Sequence, residues 1–136
     1  MADNTSGSCL CSSIKYVINE EIKSVVNCHC KTCKKITGGA FETIAVVGEK
    51  SIEVIAGKEL LTTFRINENA DKNFCSICGT PIYNQVDKYP GFSMVHIGSL
   101  DQPSLVTPAK NIFCESMLPW VNNIAELTRF EREPKS

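Results

Sequence analysis

The sequence predicts a mainly β single domain organised around bound metal. Three observations lead there. Short β-like segments recur, with turn signals between them. The 8 cysteines fall into tight local groups. The chain has 136 residues, 43% of them hydrophobic, which suits one globular core and argues against long disorder.

The first β-like region runs from Ser13 to Val26. SIKYVI and IKSVV flank an acidic turn at Glu20-Glu21, and this pattern predicts a hairpin or meander leading into CHCKTC. Thr32 to Ile36 predicts one short helical turn, and Thr37-Gly38-Gly39 a turn after it. ETIAVVG (42–48), SIEVIAG (51–57) and LLTTFRI (60–66) predict three strands, punctuated by Gly48 and Gly57. Asn67 to Asn73 is polar and predicts a turn. Pro81 to Val86 and FSMVHIGSL (92–100) predict two further strands, and NIFCES (111–116) a last one. Only IAELTRF near the end suggests a helix.

The formal net charge is -1, so no general electrostatic pull toward nucleic acid or anionic lipid is expected. No stretch approaches the roughly 18 apolar residues of a membrane span. The start, MADNTSGSCLC, carries Asp3 and no apolar signal-peptide core, so a cytoplasmic location is the expectation. Thiols stay reduced there, and metal binding accounts for eight cysteines better than a disulfide framework does.

The cysteines form three groups and a singleton: Cys9 with Cys11, then Cys28, Cys30 and Cys33, then Cys75 with Cys78, and Cys114 alone. Zinc favours four tetrahedral ligands, and closed structural sites often use four cysteines. Two pairings are open. Cys9, Cys11, Cys75 and Cys78 can form one site and leave the triplet free. Alternatively, Cys30 and Cys33 can join Cys75 and Cys78 in a ribbon, which orphans Cys9 and Cys11. The first leaves no pair unexplained, and it leaves three thiolates with one open position, the pattern of a catalytic zinc. His29 or Cys114 could instead close the triplet structurally. His29 lies between two ligands, so its ring is expected to point away from their ion. Cys114, in the apolar run IFC, reads as a buried inert thiol. Cys30-x-x-Cys33 could also be a redox pair, although the βαβ pattern that usually surrounds one is missing. His96 in MVHIG reads as a satisfied strand histidine.

Taken in order, GSCLC, CHCKTCKKITGG, FCSICGTPIY, VHIGSLD and the NIF–PW segment resemble the glutathione-dependent formaldehyde-activating enzyme family, which includes the centromere protein V group. The resemblance implies a β-tent fold, small antiparallel sheets around a structural zinc, over residues 7–131. Residues 1–6 would be a flexible N-terminal tail and 132–136 a C-terminal tail. It implies two Zn2+ per chain. Cys9, Cys11, Cys75 and Cys78 match the structural ligands, and Cys28, Cys30 and Cys33 the catalytic ones. The implied reaction adds the glutathione thiol to formaldehyde, giving S-hydroxymethylglutathione, and is classed with the carbon–sulfur lyases. The chain departs from the family at two positions: Asn111 stands where a histidine is usual, and His96 where asparagine is common.

A zinc with three cysteines and a vacancy can polarise a carbonyl or bind a thiol and deprotonate it. A free thiol of pKa about 8.5 is mostly protonated at neutral pH. Lys31, Lys34 and Lys35 could attract glutathione carboxylates, and Gly38 and Gly39 could offer backbone donors. Each of these also reads as an ordinary solvated face or turn. Phe41, Phe92 and Trp120 could wall the cleft, though core packing is the plainer expectation for them. The partners expected are therefore a small thiol and a small aldehyde. The competing reading is a non-catalytic, zinc-stabilised binding module.

Overall fold

The computed structural model describes residues 5–134. The outermost residues of the expected tails, 1–4 and 135–136, lie outside that range. Ten strands, one α-helix and six short 3-10 turns make up the described chain. The smaller sheet has the order β1 (Thr5–Ser8), β2 (Lys15–Ile18), β5 (Ile52–Ala56) and is antiparallel. The larger runs β10 (Lys110–Ile112), β3 (Ser24–Cys28), β4 (Glu42–Gly48), β9 (Phe92–His96), β8 (Pro81–Val86), β7 (Ala70–Cys75), β6 (Leu61–Asn67). Its pairings are antiparallel except for β10 with β3. The mainly β single domain is as the sequence predicts.

Strand alternation gives the larger sheet two different faces. On one, Val25 lies opposite Ala45, and Ala45 opposite Val95. These residues pack with Tyr16 and Ile18 of β2 into a single core. Ile14, Tyr16, Val47, Ile82 and Val95 are each 0% exposed. Full burial of such side chains contributes about 1.5–3 kcal/mol apiece. The other face carries Cys28 opposite Glu42, Ile44 opposite His96, Val46 opposite Met94, and Ile112 opposite Cys28. The candidate site lies on this second face.

Tyr16 fixes the join between the two sheets. Its hydroxyl lies 2.6 Å from Ser99 Oγ. Its ring fills the space over Gly7, where an added Cβ would sit 2.1 Å from Tyr16 Cζ. Gly57 has φ 75° and packs against Ser13, so it too resists substitution.

Several local expectations need correction. β2 and β3 are not a hairpin; they belong to different sheets and meet face to face through the core. Thr5 and Ser6, expected in the tail, pair with Ile18 and Val17, and Ser6 and Ser8 donate to the Asp101 carboxylate at 2.8 and 2.7 Å. The stretch from Asn67 to Asn73 is mostly a tight hairpin between β6 and β7, closed by Arg65–Asp71 at 3.1 Å and by Thr63 donating to buried Asn73 at 2.7 Å. The strand at 92–100 ends at His96, where a 3-10 turn begins. The strand at 111–116 ends at Ile112, because Phe113 is left-handed (φ 56°) and Cys114–Ser116 is a 3-10 turn. Cys114 is exposed rather than buried. IAELTRF forms no α-helix; Pro119–Glu126 is 3-10, broken at Asn123 and without a buried residue. Phe92 and Trp120 are 38% and 49% exposed, so neither is core. No helix among the described residues is long and apolar enough to cross a membrane.

Burial pushes the Tyr16 phenol up to about 12, against the partial relief given by Ser99. The neutral phenol is therefore favoured in the folded state. Its contribution is fully present below the unfolded pKa of about 10 and is lost as pH rises toward the folded value. Tyr16→Phe should remove the highest-pH step from the tyrosinate absorbance titration. Urea unfolding at neutral pH should show a loss of about 1 kcal/mol from the missing hydrogen bond.

Candidate metal centre

Two turns build the first cluster. Cys9 and Cys11 lie between β1 and β2; Cys75 ends β7, and Cys78 lies in the turn before β8. Their four Sγ atoms all lie within 4.8 Å of one another. Cys9–Cys11 is 3.6 Å and Cys11–Cys75 is 3.8 Å, far longer than the about 2.05 Å of a disulfide. Backbone N–H groups point at the sulfurs: Ile14 to Cys9 at 3.2 Å, Ile77 to Cys75 at 3.4 Å, Cys78 to Cys75 at 3.5 Å. The second turn closes with Gly79 at φ 79°, its N–H donating to the Cys75 carbonyl at 2.8 Å. Burial pushes the Cys9 thiol up to about 11. Hydrogen bonding to Thr80 pulls Cys78 down to about 5. Four convergent sulfurs with amide donors behind them fit the donor set of a closed zinc site.

The second cluster sits where β3 runs into the helix α1 (Lys31–Thr37). Cys28 ends the strand. Cys30 is the helix N-cap, and its Sγ accepts the Cys33 N–H at 3.2 Å. Gly38 ends the helix in the left-handed conformation, donating to the Lys34 carbonyl at 2.8 Å. The Cys28, Cys30 and Cys33 sulfurs lie within 4.8 Å of one another. The Cys33 thiol donates to Cys28 Sγ at 3.2 Å, which lowers Cys28 to about 6. The same bond raises Cys33, with burial and the Glu42 carboxylate adding to it. Among the described residues no fourth histidine, cysteine or carboxylate atom joins this group, so the donor set fits a zinc with one open position. Cys114 is exposed and outside it.

The His29 ring turns away from the triplet. Its Nε2–H donates to Asn111 Oδ1 at 3.0 Å, and the ring lies 5.1 Å from Phe41. Asn27 Nδ2 donates to the same Asn111 oxygen at 3.2 Å. His29 Nδ1 is buried without a hydrogen-bond partner among the described residues.

A residue the sequence reading passed over stands beside the triplet. Glu42 is 3% exposed and lies in register with Cys28. His96 Nδ1 lies 2.9 Å from Glu42 Oε1, and His96 Nε2 lies 3.0 Å from Asn84 Oδ1. Asn84 Nδ2 reaches back toward Glu42 at 3.5 Å. His96 is thus a satisfied strand histidine, as expected, and it holds a buried carboxylate. The available signal was an acid opening the otherwise apolar strand ETIAVVG.

Two openings meet at Cys30. A polar cleft of about 550 Å³ is lined by Cys30, Lys31, Lys34, Phe113, Glu115 and Ser116. A cavity of about 300 Å³ is lined by all three cysteines of the triplet, with Glu42 and Asn84. Lys34 Nζ also donates to the Ser116 carbonyl. Lys35, Gly38 and Gly39 line neither opening. Phe41 does not line them either.

A mainly β domain with two cysteine clusters, one closed and one open, each able to hold zinc, is the class these features define. The chain belongs to the family described as glutathione-dependent formaldehyde-activating enzyme, which it matches over residues 4–116. A protein of Colletotrichum graminicola is 24% identical over 115 residues, covering 81% of this chain and 60% of that protein. One of Sordaria macrospora is 29% identical over 86 residues, covering 61% of this chain and 36% of that one. Both carry the provisional name of a glutathione-dependent formaldehyde-activating enzyme. The chain therefore spans 60% and 36% of the length of these two relatives. A Rhodobacter sphaeroides protein of known crystal structure has the same fold, with a TM-score of 0.63 at 20% identity, covering 78% of this chain and 98% of that one.

Cys30→Ser is expected to lower the metal content per chain and to leave the circular dichroism spectrum intact. Cys78→Ser is expected to abolish folding or lower the melting midpoint by at least about 10 °C, since metal binding at a closed site is folding free energy. Elemental analysis with thermal melts checks both, and equal damage from the two variants would contradict this division.

Proposed function

We propose that this chain is a zinc-dependent enzyme of carbon–sulfur lyase type, joining glutathione or a similar thiol to formaldehyde or another small aldehyde. The observation that carries the reading is the open three-cysteine cluster beside buried Glu42, at the meeting point of two clefts. Membership of the family supports the choice of thiol and aldehyde. A reducing compartment such as the cytoplasm would keep the eight thiols available.

Cys9, Cys11, Cys75 and Cys78 would hold a structural zinc, and Cys28, Cys30 and Cys33 a catalytic one. Bound at the triplet, zinc supplies positive charge that favours a thiolate over a thiol and polarises a carbonyl oxygen. The protein does the rest by placement. Lys31, at the polar cleft, attracts the carboxylates of the thiol substrate. The cavity beyond Cys30 receives the aldehyde. The thiol sulfur bonds to the carbonyl carbon, the C=O becomes C–OH, and the proton that leaves sulfur ends on oxygen. Glu42 accepts a hydrogen bond from the new hydroxyl, its carboxylate held by His96 and Asn84. Holding both reactants in one orientation provides much of the acceleration.

Exchange NMR of glutathione with formaldehyde should show interconversion with S-hydroxymethylglutathione that is faster with the metal-loaded protein and saturates in glutathione. Cys30→Ser should abolish the acceleration. Glu42→Gln should lower it about tenfold to a hundredfold, the worth of one hydrogen bond to a charged group. Uncatalysed rates in the presence of fully metal-loaded protein would sink the proposal.

A further inference from the structure

The cavity beside the triplet has the wrong character for either named reactant. Only Glu42 and Lys88 among its lining residues are charged. Its largest aliphatic walls are Ile36, Ile44, Ile66, Val86, Met94 and Ile112, with Thr32, Asn67, Asn84 and Tyr89 as the uncharged polar lining. All six aliphatic side chains are at least partly shielded from solvent, yet they enclose about 300 Å³ of open space. Glutathione, with two carboxylates and an ammonium, would have to shed hydration to enter such a space without partners for its charges. The polar cleft on the other side of Cys30 offers Lys31 and Lys34 instead. Formaldehyde has no substituent and would leave the apolar walls uncovered.

The apolar surface also continues. A second hollow of about 390 Å³ shares Ile44, Tyr89, Met94 and Ile112 with the first and adds Val26, Val46 and Phe92, together with Lys23, Ser24 and Lys110. Register explains the continuity. Val26, Ile44, Val46, Met94 and Ile112 lie on the face of the larger sheet that turns away from the core. Strand residues of this kind normally lie under a second layer. Here they lead instead to three metal-ligand candidates and a buried carboxylate.

Resting on the proposed thiol–aldehyde reaction, we infer that the carbonyl partner is not formaldehyde but an aldehyde bearing an apolar group, a short alkyl chain or a single aromatic ring. The carbonyl carbon lies at the triplet, and its substituent lies along the apolar walls. The thiol enters from the Lys31 side. The chemistry is unchanged: the thiol S–H adds across C=O, giving a hemithioacetal with the substituent on the new carbon, and no oxidant or reductant is needed. Each methylene accommodated in an apolar pocket is worth about tenfold or more in specificity.

Two measurements on the metal-loaded full chain test this. Hexanamide, an unreactive six-carbon carbonyl compound, is titrated against protein labelled at isoleucine and methionine methyls. The Ile44, Ile66, Ile112 and Met94 methyls should shift and saturate together; unmoved methyls, or shifts confined to other residues, overturn the inference. Acceleration over the uncatalysed rate with glutathione is then compared for formaldehyde and hexanal. It should be at least about tenfold greater for hexanal. Acceleration of formaldehyde with no gain for hexanal overturns the inference and leaves the proposed reaction standing. No acceleration of either aldehyde overturns both, and that result is separately readable.

Discussion

The convergence of Cys9, Cys11, Cys75 and Cys78 is the constraint on which the rest of the structure depends. These four side chains come from two turns, and each turn belongs to a different sheet. β1 has only four residues and pairs with one named strand, β2, plus a single bridge from Gly7 to Leu100, so it is weak by itself. It is held at one end by the sulfur cluster and along its length by Asp101, which accepts from Ser6 and Ser8. Four thiolates this close would repel strongly without a cation among them. The amides aimed at Cys9 and Cys75 relieve part of that cost. A divalent ion bound there would supply the remainder and would make folding and metal loading one equilibrium.

Once the sheets are joined, strand periodicity does the rest. Val25, Ala45 and Val95 turn inward to the core with Tyr16 and Ile18. By the same alternation Cys28, Glu42, Asn84 and His96 are placed on the opposite face. The triplet is a strand end followed by a short helix, so its sulfurs converge through backbone geometry. Cys30 serves as both N-cap and ligand candidate. Its N-cap bond gives a seven-residue helix without a buried residue a fixed start beside the sheet.

His96 and Asn111 sit one layer behind the open cluster. His96 braces Glu42, and Asn111 gathers His29 and Asn27 at a single oxygen. Neither touches the three sulfurs directly. Each fixes the position of a side chain or strand that does border them. β10 is only three residues long, and its parallel pairing to β3 brings Ile112 opposite Cys28.

The sequence by itself determined the fold class, most strand positions and the local grouping of the cysteines, but it left two ways of pairing those groups open, and the structure brings Cys9, Cys11, Cys75 and Cys78 together and keeps Cys28, Cys30 and Cys33 apart from them. Alternation of β-branched residues and the spacing of thiols are local signals, and local geometry carries them into three dimensions. It did not show that β2 and β3 lie in different sheets, because edge pairing and face packing bury the same residues. It did not show where the last strand stops, since the left-handed Phe113 has no mark in a run of apolar letters. Glu42 read as one more strand residue. Its burial beside the triplet, the carboxylate–histidine pair and the apolar hollow arise only when Cys28, Glu42, His96 and Asn84 are brought to one face from four strands. Only tertiary structure decided that, because such contacts join residues far apart in sequence and leave no periodic trace along it.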